Sequence, residues 1–303
     1  MRISDAHAHF FSGDFYAALA REAAAARGGD PERLLDELSR KSGIEIPGPD
    51  SGKHAARWVA ELDRHGVAYA VSIASVPAEE EAVRAGALAS RGRLVPFLAV
   101  NPATEAGVRQ GARALAEGGF RGVILFPAAS GVEACDPALD PLYAAAASTN
   151  AIVAVHCGIL EIRARDLLGI RPRYDARRAS PLAVSAAAER HPRVRFLIPH
   201  FGSGLFRETL IAGAQSPNVI VDCSSSNSWM RIHDLTLEAV FRKALDVFGP
   251  RRILFGTDSS TFPRGYRADV LEATRRALDG IGVGPEDRAR ILGENLIELL
   301  GLG

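Results

Sequence analysis

Arg2-Ile3-Ser4-Asp5-Ala6-His7-Ala8-His9 opens the chain. This run predicts a strand over residues 2–7, and its period of two points Asp5, His7 and His9 to one face. It runs into histidines. An open nucleotide-binding sheet would carry a glycine-rich turn after an early strand instead. Working outward, short β-branched runs alternate with Ala-rich and Leu-rich helical patterns from residue 53 onward. They predict further strands over 67–74, 94–100, 122–126, 152–156, 195–199, 219–222 and 252–256. Eight βα units are the number at which a parallel sheet closes on itself, so the predicted class is α/β, a (β/α)8 TIM barrel forming one domain over 1–303. A doubly wound open sheet is the alternative.

Composition narrows the partners. Lys plus Arg and Asp plus Glu both number 36 in 303 residues, so no net field draws the protein to nucleic acid or an anionic membrane. A small-molecule substrate is expected, a carboxylate among the choices, and a homo-oligomer is compatible with the sequence. Cys135, Cys157 and Cys223 form no CxxC pair, which argues against a disulfide framework or a thiolate zinc site. The start of the chain has no basic segment followed by an apolar one, and no run reaches the length of a membrane span. A cytoplasmic protein is expected.

Three connections exceed ordinary turns, and loops after strands lie on the active face of a barrel. Residues 10–52 follow the first strand as a long insertion with two helical patterns, one of them the Ala-rich stretch 17–26; they read as a cap or lid, or as an oligomer contact. Residues 158–179 carry Arg163, Arg165, Arg171, Arg173, Arg177 and Arg178, any of which suits a substrate carboxylate or a solvated surface. Residues 223–235 include Trp229, Arg231 and His233; Trp229 either lines a pocket or packs on the following helix.

The chemistry is concentrated at strand ends. Two residues of strand separate the Cα atoms of His7 and His9 by about 6.5 to 7 Å, close enough for both rings to hold one ion. His156, His200 and Asp258 each directly follow an apolar run, and the carboxyl ends of barrel strands ring one opening. His7, His9, His156 and Asp258 are therefore the candidate ligands of one divalent metal ion. Nitrogen and carboxylate donors suit Zn2+ first, with Mn2+ or Fe2+ as alternatives. Asp258 is also the candidate proton acceptor, and His200 either a general acid and electrostatic partner or a fourth ligand. Asp5 is open between supporting the ligands, distant ligation and a structural hydrogen bond. His54, His65, His191 and His233 fall in helical, turn or loop context and read as structural.

The motifs Asp5-Ala6-His7-Ala8-His9, Val155-His156-Cys157-Gly158, Pro199-His200-Phe201-Gly202 and Phe255-Gly256-Thr257-Asp258, with the tail Ile291-Leu292-Gly293-Glu294-Asn295, resemble the amidohydrolase superfamily. The resemblance is to its amidohydrolase-related branch, which includes aminocarboxymuconate semialdehyde decarboxylase and aromatic-acid decarboxylases. It implies the same ligand set and a histidine at 200 that assists chemistry. Many superfamily members carry a metal-bridging lysine on the fourth strand. Here Gly122-Val123-Ile124-Leu125-Phe126-Pro127 offers none, which implies one metal ion. The segment after the barrel aspartate, Ser259 to Gly265, also departs from the branch pattern, so Phe262 and Arg264 are open between contacting substrate and packing. The leading expectation is hydrolysis of an ester, lactone or amide of a small organic acid by metal-activated water. The alternative is non-oxidative decarboxylation of an aromatic or enoic acid, or hydration of a double bond, at the same mononuclear site.

Overall fold

The computed structural model describes residues 2–117, 119–170 and 174–303, so Arg171 and Arg173 lie outside the described residues. Eight parallel strands follow one another around a barrel: β1 (Ile3–His9), β2 (Val67–Ile73), β3 (Leu94–Ala99), β4 (Gly122–Leu125), β5 (Ile152–Val155), β6 (Arg195–Ile198), β7 (Val219–Asp222) and β8 (Ile253–Leu254). The seam between β8 and β1 is held by single bonds. Ala6 N–H donates to Phe255 O at 2.8 Å, Asp258 N–H to His7 O at 2.8 Å and His9 N–H to Ser259 O at 2.7 Å. This seam explains why β8 is shorter than the predicted strand: its last residues leave the regular ladder to follow a distorted β1. The β1–β2 register itself shifts between Asp5 and Ala8.

Apolar side chains from alternate strand positions fill the interior, among them Ala6, Val71, Val95, Ile124, Ala154, Leu197, Ile220 and Leu254. Leu296 and Leu300, on the terminal helix Asn295–Leu300, close its floor. The opposite strand faces bury Leu98, Val123, Val153, Phe196 and Val221 against the surrounding helices. Each such side chain contributes roughly 1.5–3 kcal/mol when fully buried, which is why β3, β4 and β5 read as apolar on both faces.

Between β1 and β2 the chain forms α1 (Gly13–Arg27), α2 (Pro31–Ser42) and α3 (Ser51–Arg64). Side-chain oxygens of Ser12, Asp30 and Asp50 cap their N-termini. The helix α3 buries Ala55, Trp58 and Leu62 on the barrel at helical spacing. In contrast, α1 and α2 have a small core of their own: Phe15, Tyr16, Leu19, Leu34 and Leu38 meet Ala164, Leu168 and Ile170 from the connection after β5. The two helical patterns expected in 10–52 correspond to α1 and α2.

Candidate metal centre

The wall of the site is built where β1, β6, β7 and β8 end. His7 Nδ1 lies 3.1 Å from Asp222 Oδ2, and both side chains are fully enclosed. Burial works to lower the His7 imidazole, but Asp222 outweighs it and holds the ring above the usual histidine range. Burial likewise works to raise Asp222, and His7 overrides it, so the carboxyl sits below its usual range. With Nδ1–H given to Asp222, Nε2 of His7 is left facing the site, buried and without a hydrogen-bond partner. Close approach is needed here. A Cβ on Gly256 would meet the His7 Cβ at 2.9 Å, so glycine just after β8 makes room for that residue.

The second oxygen of Asp222 organises β6. It accepts from His200 N–H at 3.0 Å and Ser224 N–H at 2.9 Å, and from the Ser224 hydroxyl. His200 Nδ1 donates to Ser224 O at 2.9 Å, which leaves its Nε2 as the lone-pair nitrogen of a neutral ring. Burial, and then the charge of His7, hold that ring below the usual histidine range. His200 has φ of 57° and Asp258 φ of 60°, the left-handed region that costs a non-glycine residue on the order of 1–3 kcal/mol.

His9 Nε2 stands 3.2 Å from Asp258 Oδ1, and His7 Nε2 3.9 Å from the same oxygen. Although burial works to raise the Asp258 carboxyl, His9, His200 and His7 around it hold it far below the usual range, so it is ionised. Nitrogen and oxygen atoms of His7, His9 and Asp258 all fall within 4.8 Å of one another, as do those of His7, His200 and Asp222. His156 belongs to neither group. Its ring centroid lies 5.1 Å from that of His200, its Nδ1 is buried without a partner, and burial keeps it neutral. A nitrogen and carboxylate donor set with an orphaned, buried Nε2 on His7 fits a divalent ion.

Asp5 is used elsewhere. Its Oδ1 accepts from His7 N–H at 2.9 Å and Thr257 N–H at 3.1 Å, and its Oδ2 from Thr257 Oγ1 at 2.5 Å. The shift in β1 register takes it away from the face shared by His7 and His9. It is the structural alternative that the geometry selects: a fully buried carboxyl, pushed up to about 7 by burial, tying β1 to the segment before Asp258.

Above the wall is a cavity of about 660 Å³. His9, His156, His200 and Asp258 reach it from below, and Phe11, Phe15, Tyr16 and Leu19 from α1 and its approach. Phe11 and Phe15 stack with centroids 4.1 Å apart, and Phe11 lies 5.0 Å from the His9 ring. Arg163, Arg165 and Arg264 all line it. Arg165 is committed, since both terminal nitrogens of its guanidinium bind the Glu22 carboxylate on α1. Arg264 donates to Ser260 Oγ at 2.8 Å, and none of the described ion pairs includes it. Phe262 lies outside the cavity. It is buried with its ring centroid 4.7 Å from that of Trp58, and the Arg57 guanidinium is 3.8 Å from its centroid, so packing on α3 takes it. Trp229 lines a smaller cleft of about 190 Å³ that shares His156, His200 and Asp258, and its ring also packs on Phe206.

The remaining histidines are engaged away from the wall. His54 Nε2 lies 2.7 Å from Phe10 O, His65 stacks on Tyr266, His191 Nε2 is 2.9 Å from Asp140, and His233 Nε2 is 2.9 Å from Gly204 O. The residue the sequence reading missed is Asp222. It directly follows Val219-Ile220-Val221, the same signal that singled out His156, His200 and Asp258.

Known proteins share the fold. The 5-carboxyvanillate decarboxylase of Sphingomonas paucimobilis has the same fold at a TM-score of 0.67 and 14% identity, over 100% of this chain and 99% of that one. A dihydroxybenzoic acid decarboxylase of Polaromonas sp., solved with bound manganese and 2-nitroresorcinol, aligns at a TM-score of 0.63 and 15% identity over 99% of this chain and 97% of that one. A probable 2-pyrone-4,6-dicarboxylic acid hydrolase of Acinetobacter baumannii, with citric acid bound, aligns at 0.59 and 15% identity over 100% of both chains. No curated protein matches the chain. The amidohydrolase family model matches residues 4–302, and the chain belongs to that family, as an enzyme of the amidohydrolase superfamily.

Proposed function

We propose that this enzyme is a mononuclear metal-dependent hydrolase that cleaves an ester, lactone or amide bond of a small organic acid. One observation carries the reading: ring nitrogens of His7 and His9 and the Asp258 carboxylate converge on one point at the floor of an open cavity. His7, His9 and Asp258 hold the ion, with His156 joining from the facing wall and Zn2+ as the first choice of metal. A bound divalent ion supplies Lewis acidity, lowering the pKa of water to about 7 in the best zinc sites and polarising a substrate carbonyl.

The chain's own groups supply the rest. Asp258, ionised among three histidines, accepts the proton of the attacking water. His200 offers a lone pair at Nε2, so the proton that Asp258 takes from water is relayed to that nitrogen and from it to the leaving atom, which returns Asp258 to its carboxylate and His200 to its neutral form. Arg264 and Arg163 bind the substrate carboxylate from the cavity wall. The helices α1 and α2 roof the cavity as a cap.

A second reading, non-oxidative decarboxylation, is favoured by the Phe11–Phe15 stack beside those arginines, a bed for a planar aromatic acid. There Asp258 or His200 first takes a proton from solvent, the carbon–carbon bond to the carboxylate breaks, carbon dioxide leaves, and that proton passes to the ring carbon. Acid release and carbon dioxide release are to be measured on lactones, esters and amides of organic acids and on hydroxybenzoates. Acid without carbon dioxide supports hydrolysis, and carbon dioxide from an intact ring replaces it with the second reading. Elemental analysis should find about one ion per chain, lost in His7→Ala. A wild type that stays metal-free after supplementation overturns both.

A further inference from the structure

One buried carboxylate outside the metal wall touches both halves of the site. Glu79, at the end of the 3-10 turn Pro77–Glu79 in the connection after β2, is fully enclosed and sits in a cage of donors. Its Oε1 accepts from Ser12 N–H and Ser12 Oγ, each at 2.8 Å, and its Oε2 from Ser75 N–H at 2.6 Å. Ser12 is the N-cap of α1, the first helix of the roof. Ser75 lines the main cavity, and its Oγ lies 2.6 Å from His9 Nδ1.

We propose that Glu79 is a positioning residue which, through Ser75, fixes the tautomer and direction of His9 and, through Ser12, sets the start of the roof helix in the same register. The inference rests on the reading that His9 offers Nε2 to the metal ion. For Nε2 to present a lone pair, the ring proton must be on Nδ1, where Ser75 Oγ accepts it. The hydroxyl proton of Ser75 is then released from His9. Because Ser75 lines the cavity, that proton is a donor for an oxygen of the substrate. Burial keeps the arrangement rigid: an enclosed carboxylate with three short bonds has no solvent-exposed alternative. A structural staple alone would explain the Ser12 bonds. It would not explain why the same carboxylate also pins the backbone of the serine that contacts His9.

The test uses the full chain in five forms: wild type, Glu79→Gln, Ser75→Ala, Ser12→Ala and the Glu79→Gln/Ser75→Ala double variant. In 15N-histidine NMR of the metal-free protein, the His9 resonances should move towards a mixed tautomer in Glu79→Gln and Ser75→Ala and stay in place in Ser12→Ala. Chelator competition with Zn2+ should show affinity weakened by about 10- to 100-fold in the first two, the range seen when the partner of a ligating histidine is lost. The double variant should lose little more than Ser75→Ala alone. Unchanged His9 resonances in both Glu79→Gln and Ser75→Ala, or full additivity of the two, overturn the proposal even if Glu79→Gln folds poorly. Wild type without Zn2+ affinity but with the NMR shifts intact overturns the metal reading and leaves Glu79 as the residue that positions His9.

Discussion

The wall and the roof of this site are built from different forces. The wall joins β1, β6, β7 and β8 through buried groups: His7, Asp222, His200, Ser224, Asp5 and Thr257 satisfy one another within hydrogen-bond distance, leaving the His7 Nε2 orphaned. The roof of α1 and α2 rests on a small apolar core and on the Arg165–Glu22 pair, whose side chains are 17% and 47% exposed. Breaking a buried pair leaves an unpaired charge in a dry place, whereas an exposed pair exchanges its partner for water. The wall should therefore be intolerant of change in chemistry and stability together, and the roof should tolerate change and pass it on to substrate affinity alone.

The harshest way to break that contrast is at Asp258. In Asp258→Asn, kcat should fall by about three orders of magnitude or more, since one residue loses both its charge at the ion and its proton-accepting role. Near-normal turnover in a folded, metal-loaded variant would remove Asp258 from the wall. Next comes Asp222→Asn, which frees the His7 tautomer. Metal affinity should drop about 10- to 100-fold and stability by about 3–5 kcal/mol, measured by chelator competition and urea unfolding. A variant that loses neither shows that the buried network is incidental.

A gentler probe uses pH. Burial pushes Glu79 up from 4.5 to about 7, so between those values the folded protein holds a proton there that the unfolded chain releases. Stability must then fall as pH rises across that window, by on the order of 3 kcal/mol from this residue. Asp5, pushed up to about 7, adds to the same trend. Thermal unfolding of wild type from pH 5 to 8 should show the decline, and Glu79→Gln should flatten it; a parallel slope in the variant refutes the assignment. The smallest effect belongs to the roof. Arg165→Ala should cost under about 1 kcal/mol while raising KM several-fold with kcat little changed. A loss as large as that of Asp222→Asn would erase the distinction between roof and wall.

The same division explains what could be read from the amino-acid order. Strand ends are legible because the period of an apolar run and the polar residue that stops it are local, so His7, His9, His156, His200 and Asp258 are all found around one mouth. Asp222 is legible by the same rule, since it stops the apolar run Val219-Ile220-Val221 as His156 stops its own. Pairings across the molecule are not local. Nothing near Arg165 in sequence announces Glu22, 143 residues away, and nothing near Phe262 announces Trp58. Asp5 shows the limit of periodicity: one shift of register in β1 separates it from the histidines it alternates with.

The left-handed backbone at His200 and Asp258 has a consequence for how such a protein would respond to selection. Glycine occupies that conformation freely and asparagine readily, so Asp258→Gly or His200→Asn relaxes part of the backbone cost while discarding the chemistry. At both positions that relief is set against the buried contacts the side chain makes, so the strained backbone persists because chemistry and packing hold it there together.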